Sequence, residues 1–186
     1  LNTRPTHTII LSPIEDLSTS LLDRISEDLM RVFGFPIEIM RLIDDLAFAL
    51  DRQRRQYHST LILEALDRKA PPGALKILGV TRQDLFIPIL THVYGEAQLG
   101  GRASIISLNR LKEGLGSGGR VDEYHSRVAK EAVHELGHTF NLRHCKDPGC
   151  IMHYCHSAAD VDRKSNRLCR YCSTLLEDEI ERLMSA

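Results

Sequence analysis

The chain reads as an α/β fold, a sheet covered by helices with one helix given over to a metal. Three observations predict it. Over residues 8–108, short β-prone runs alternate with runs of helical period, the pattern of a sheet with helices packed on it. A His-Glu-x-x-His sequence, His134 to His138, lies on a long amphipathic stretch. All five cysteines, Cys145, Cys150, Cys155, Cys169 and Cys172, fall in the last third of the chain.

The 186 residues are enough for one domain with a real core, divided by a cleft. A net charge of -1 provides no global field for nucleic acid or an anionic membrane, so neither is expected as a partner. No apolar run approaches the ~20 residues of a membrane span. The first apolar run, Ile9-Ile10-Leu11, is too short for a secretory core. The chain begins at Leu1 rather than Met, so a trimmed or misassigned start is expected. An odd number of cysteines argues against a closed disulfide framework. With no export signal in view, a reducing cytoplasm is the expected compartment, where clustered thiols serve as metal ligands.

In chain order, Thr8–Leu11 is expected as a first strand, closed by Ser12-Pro13. A helix starts near Ser18, capped by Ser18 or Asp16. Its stripe is Leu21, Leu22, Ile25, Leu29 and Val32, and Gly34 ends it. Phe35–Ile43, rich in isoleucine, fits a second strand. Asp44–Gln56 is ambiguous; Arg52, Arg54 and Arg55 form a solvated basic face, or touch an acidic partner. Ser59–Arg68 is a second helix carrying Leu61, Ile62, Ala65 and Leu66, ended by Pro71-Pro72-Gly73. Leu75–Thr81 is a third strand. Asp84–Tyr94 is β-prone, with Pro88 confining it to an edge or a bulge. Gly95–Gly101 is expected as a turn-rich connection, and Ala103–Leu108 as another strand. Gly114–Gly119 contains G-x-G-x-x-G, but a polar segment precedes it and the metal helix follows it. It reads as a loop, not a dinucleotide site.

The metal helix is expected from about Val121 to Phe140. Ala129, Ala132, Val133, Leu136 and Phe140 fall within roughly 100° of arc, with His134 and His138 opposite. One face can pack on the sheet while the other faces a cleft. Histidines four apart stack about 6 Å along the axis and can converge on one ion. Glu135 points to the adjacent side, where it can hold a water. His144 is too far along for the same face, so the chain must stop and turn back. Asn141 stands at that turn and tolerates the left-handed conformation.

Three neutral imidazoles leave zinc an open position, the mark of a catalytic site. Zinc-bound water with Glu135 as general base would hydrolyse a carbonyl. Iron on two histidines and a carboxylate is the rival, which a third histidine disfavours. Two close cysteine pairs, Cys145 with Cys150 and Cys169 with Cys172, suit a tetrahedral structural zinc. Two zinc ions per chain are therefore expected. Cys155 is left over as a small core residue, unless it replaces Cys150. Beyond Cys172, Leu175, Leu176, Glu179, Ile180 and Leu183 suit a short amphipathic terminal helix.

The run His134-Glu135-x-x-His138-x-x-Asn141-x-x-His144, then Cys145-x4-Cys150-x-Met152 and Cys169-x-x-Cys172, resembles the archaemetzincin family of zinc metallopeptidases. The family's usual glycine is Asn141 in this chain. The resemblance implies a zincin- or metzincin-like fold: a twisted mixed sheet, backing helices, an active-site helix and a small zinc-bound C-terminal subdomain. It implies His134, His138 and His144 on a catalytic zinc, Glu135 as base, the four cysteines on a second zinc, and Met152 in a Met-turn beneath the first. Met152-His153-Tyr154 is similar to turns in which a tyrosine approaches the metal. It further implies a peptide lying along the edge strand near Pro88–Gly101. The expectation is a zinc-dependent peptidase, residues 1–140 forming the N-terminal subdomain and 141–186 the C-terminal one, with a monomer as the default. The alternatives are an inactive zinc-stabilised peptide-binding protein, or a hydrolase of a non-peptide amide.

Overall fold

A computed structural model describes residues 7–115 and 121–185. Five strands form one sheet in the order β2-β1-β5-β8-β7: β1 (Thr8–Pro13), β2 (Ile37–Ile39), β5 (Ala74–Thr81), β7 (Gly95–Ala97) and β8 (Ala103–Ser107). Neighbours run parallel except β7, which lies antiparallel on β8 at the edge. β3 (Leu50–Asp51), β4 (Gln56–His58) and β6 (Leu85–Phe86) make a second, three-stranded sheet.

The three central strands, β1, β5 and β8, are buried on both faces, and their period-2 alternation distributes their residues between two cores. Ile9, Leu11, Leu78, Val80 and Ile106 pack against α1 (Thr19–Phe33) and α3 (Val121–Thr139). Ile10, Ile77, Ala103 and Ile105 meet α2 (Ser59–Arg68). The core between α1 and α3 continues past residue 140 through Leu142, Ile151, Met152 and Leu176, reaching α5 (Arg170–Met184). α4 (Ala158–Arg163) is a short helix closed by a Ser157–Asp160 capping box.

The first strand, the first two helices, the third strand and the metal helix fall where expected. Gly34, at φ 76°, ends α1 in the left-handed conformation that costs glycine least. Several expectations need correction. Of Phe35–Ile43 only Ile37–Ile39 is strand, with Pro36 O and Met40 N–H closing its pairing to β1 at either end. Asp84–Tyr94 contributes only Leu85–Phe86, after which a turn follows at Pro88. The Gly95–Gly101 connection is partly strand: Gly95–Ala97 is the sheet edge, and its glycine and charge obscure a β signal. In α2, Leu63 rather than Leu61 is buried. Arg54 is not a solvated face; it donates to Leu90 O at 2.7 Å. The terminal helix is longer than expected, beginning at Arg170 before Cys172. Part of the Gly114–Gly119 loop lies outside the described residues.

The edge strand is tied to both helical layers. Glu96 accepts from Ser59 Oγ and, at 2.9 Å, from Thr60 Oγ1, so its carboxylate sits at the positive end of α2. On the other face, a Cβ placed at Gly95 would stand 2.5 Å from Glu135 Cγ. Only a residue without a side chain lets α3 carry Glu135 that close to the edge.

Candidate metal centre

α3 ends in a Schellman motif. Leu142 N–H donates to Gly137 O at 3.1 Å and Asn141 N–H to His138 O at 2.9 Å, with Asn141 at φ 61°. The chain reverses there, and His144 comes back over the helix. One ligating atom from each of His134, His138 and His144 then lies within 4.8 Å of the others. The expected trio is thus assembled, and the substitution of Asn141 for glycine leaves the turn intact.

The outer nitrogens fix the rings. His134 Nδ1–H donates to Ile151 O at 2.9 Å, and His138 Nδ1–H to Leu142 O at 2.7 Å. Those bonds assign the tautomers and turn both Nε2 lone pairs inward, as carbonyls behind metal-binding imidazoles do. The two Nε2 atoms stand 3.2 Å apart. Facing lone pairs repel at that distance, whereas two Zn–N bonds of ~2.05 Å at a tetrahedral angle place their nitrogens about 3.3 Å apart. The donor set fits zinc.

Electrostatics favours neutral ligands. Burial pushes His134 well down, and burial brings His138 to about 4 against the pull of the Leu142 carbonyl. His144 is lowered as well, by burial and then by the charge of Lys164. Burial raises Glu135 well above the usual carboxylate range; Glu131 adds to this and Lys164 opposes it.

Beneath the trio lies Met152, fully buried. A Cβ on Gly137 would stand 2.8 Å from Met152 Sδ, so the glycine inside His-Glu-Leu-Gly-His lets the methionine seat directly under the helix. Tyr154 lies on the open side, its ring 4.9 Å from the His144 ring.

The four cysteines Cys145, Cys150, Cys169 and Cys172 also converge within 4.8 Å. Cys145 Sγ and Cys169 Sγ are 3.7 Å apart, too far for a disulfide. Two Zn–S bonds of ~2.3 Å at a tetrahedral angle would separate their sulfurs by about 3.8 Å. Cys169 is the N-cap of α5, where the Cys172 N–H stabilises its thiolate and lowers its pKa. Cys155 stays out of the cluster and faces the cleft.

Sequence reasoning missed a buried charged group beside the ligands. Lys164 Nζ donates to Glu131 Oε1 at 2.8 Å, both side chains nearly sealed from solvent, and lies 3.5 Å from His134 Nδ1. Above the centre is a cleft of about 700 Å³, walled by the edge strand on one side and by His134, Glu135, His138 and His144 on the other.

The sequence profile of peptidase family M54 matches residues 56–178. The chain is 37% identical to the archaemetzincin of Methanocaldococcus jannaschii, over 91% of this chain and 93% of that one. The chain belongs to peptidase family M54. On that ground it is a zinc metallopeptidase, acting on peptide or protein substrates. A second M54 relative, the archaemetzincin of Methanopyrus kandleri, has a crystal structure that superposes with a TM-score of 0.85 at 33% identity, covering 98% of this chain and 100% of that one. The archaemetzincin structure from Archaeoglobus fulgidus, complexed with malonate, gives 0.76 at 33% identity, with coverage of 90% and 99%. A zinc-dependent peptidase from Methanocorpusculum labreanum gives 0.78 at 28% identity, with coverage of 91% and 99%. The archaemetzincin fold therefore extends over almost the whole chain. No described helix is long and apolar enough to cross a membrane.

Proposed function

We propose that this M54 peptidase binds two zinc ions, a catalytic one on His134, His138 and His144 and a structural one on Cys145, Cys150, Cys169 and Cys172, with Glu135 as general base. The convergence of the two donor sets at spacings that match Zn–N and Zn–S bonds carries this reading. Bound zinc supplies Lewis acidity and an acidified water to the site.

The chain's own groups do the rest. The backbone carbonyls of Ile151 and Leu142 hold two imidazoles with their inner nitrogens free. The Glu135 carboxylate, pressed against Gly95, stands beside the ligands on the cleft side. It takes a proton on a carboxylate oxygen and passes it to the leaving amine nitrogen. The free edge of β7 offers unpaired backbone groups to an extended peptide, which adds to the sheet as a further strand. Tyr154 donates to the oxygen that becomes charged as the carbonyl is attacked. Residues 1–140 then carry the sheet and base, while 141–186 carry the third ligand, the methionine floor and the thiol site. Their shared core makes this a division of labour rather than of packing.

Glu135→Ala should abolish cleavage of a mixed peptide library while zinc content and peptide affinity stay at wild-type levels. A variant that still cleaves would remove Glu135 as base. A wild-type chain that binds peptides and never cleaves them would leave an inactive peptide-binding protein. Tyr154→Phe should lower kcat on the order of a hundredfold with little change in KM; unchanged turnover would remove that role.

A further inference from the structure

The loop from β6 to β7 displays an isoleucine to solvent on a fixed frame. Ile89 is 86% exposed, the most open large apolar side chain among the described residues. It stands at a turn between Ile87 and Leu90, both of which line the cleft. Leu90 N–H donates to Ile87 O at 3.0 Å, closing the turn around Pro88 and Ile89. Arg54 donates to Leu90 O at 2.7 Å, with its guanidinium carbon 4.1 Å over the Phe86 ring. Gln56 Nε2 donates to Thr91 O at 2.9 Å, and Val93 N–H to Leu85 O at 2.9 Å. The turn itself asks for no apolar residue at position 89, since a polar one would satisfy the same backbone. A held backbone with an open apolar tip loses little entropy when something packs on it.

We infer that the Ile89–Leu90 tip is a prong that packs on an apolar side chain of the peptide substrate, away from the bond that is cut. The loop runs directly into the edge strand, so its tip extends the surface along which the peptide is proposed to lie; the inference rests on that reading. Leu90 lies five residues before Gly95, the residue against Glu135. At ~3.3 Å per residue that is at most about 17 Å, or five residues of extended peptide. The substrate class is therefore a peptide with an aliphatic or aromatic residue within about five positions of the scissile bond.

The test uses the zinc-loaded full chain and peptides carrying Leu or Ser in turn at each of five positions on either side of the cleaved bond. The wild type should prefer Leu over Ser at one position by about tenfold in kcat/KM, and Ile89→Ser should bring that ratio close to one. Because it is a ratio, general damage to the variant cancels. No preference at any position, or a preference that survives in Ile89→Ser, overturns the prong. In parallel, a fluorescent Leu peptide is titrated onto Glu135→Ala with and without Ile89→Ser. Binding weakened about tenfold supports the prong even if the wild type cleaves nothing, an outcome that would fail the peptidase reading alone. Equal binding overturns the prong. Sedimentation completes the set: a dimer that Ile89→Ser dissociates would make the tip a contact between copies of this chain and overturn the inference.

Discussion

A buried ion pair seldom stabilises a fold, because desolvating two charges costs about as much as their attraction returns. Lys164 and Glu131 are such a pair, and both line the cleft beside His134. Breaking it is costly: Lys164→Met leaves Glu131 buried without a cation, one turn from Glu135, at roughly 3–5 kcal/mol. The double variant Glu131→Leu, Lys164→Met removes both charges and should recover most of that loss in thermal unfolding. A double variant as unstable as the single one would show that packing, not charge, is at stake. This pair was invisible in the sequence because pattern reading assigns charges to solvent. The candidate metal ligands were legible for the opposite reason: zinc chemistry fixes both residue type and spacing, and the fold brings His134, His138 and His144 together and the four cysteines together, with Glu135 on the cleft beside the histidines. Gly137 and Gly95 could have been flagged as positions where a backbone must pass close to a side chain, but nothing local names Met152 or Glu135 as that side chain.

Elements with a strong period were legible and short ones were not. α1, α2, α3 and β5 each declare themselves over eight or more residues. β7, three residues long, and β6, two, depend on neighbours distant in sequence, and α4 declares itself only through its cap. Lys76 shows how such elements are joined. From β5 its Nζ donates to Thr139 O at 2.6 Å, at the end of α3, and to Gly101 O at 2.7 Å, after the edge strand. It thus satisfies a carbonyl that the helix end leaves without a partner. Burial lowers its pKa from 10.5 to about 8. Below pH 8 the lysine is protonated in both folded and unfolded chains, and between 8 and 10.5 only the unfolded chain binds the proton. Stability contributed by this residue should therefore rise with pH across that window, by on the order of 3 kcal/mol. Denaturant unfolding of wild type and Lys76→Met from pH 7 to 10.5 checks it. If the difference between the two curves is flat, burial is not holding this ammonium.

At the scale of the molecule, the two donor sets are mechanically one. Cys145 follows His144 directly, and Cys150 precedes the methionine floor by two residues. Cys145 N–H donates to Met152 O at 2.9 Å, and His153 Nδ1–H to Cys145 O at 2.9 Å, so the cysteine cluster ties the segment carrying His144 to Met152. α5 closes it, bringing Cys169 from its N-cap and Cys172 from its first turn, with Leu176 in the common core. The two sites differ in access. His138 is partly buried and His144 exposed, both opening onto the cleft, whereas Cys150 and Cys172 are sealed and Cys145 and Cys169 partly buried. Mild chelation should remove one of two zinc ions together with activity, and added zinc should restore both. The coupling should also run one way. His134→Ala should lose one zinc and keep the other, because the thiols do not depend on the helix ligands for their geometry. Cys172→Ser should lose both, because Cys145 and Cys150 then cease to hold His144 and Met152 in register. Metal analysis of the three proteins at equal free zinc decides it: a Cys172→Ser chain that keeps its catalytic zinc at wild-type affinity would mean that the cysteine site fastens the C-terminal segment without positioning the third ligand.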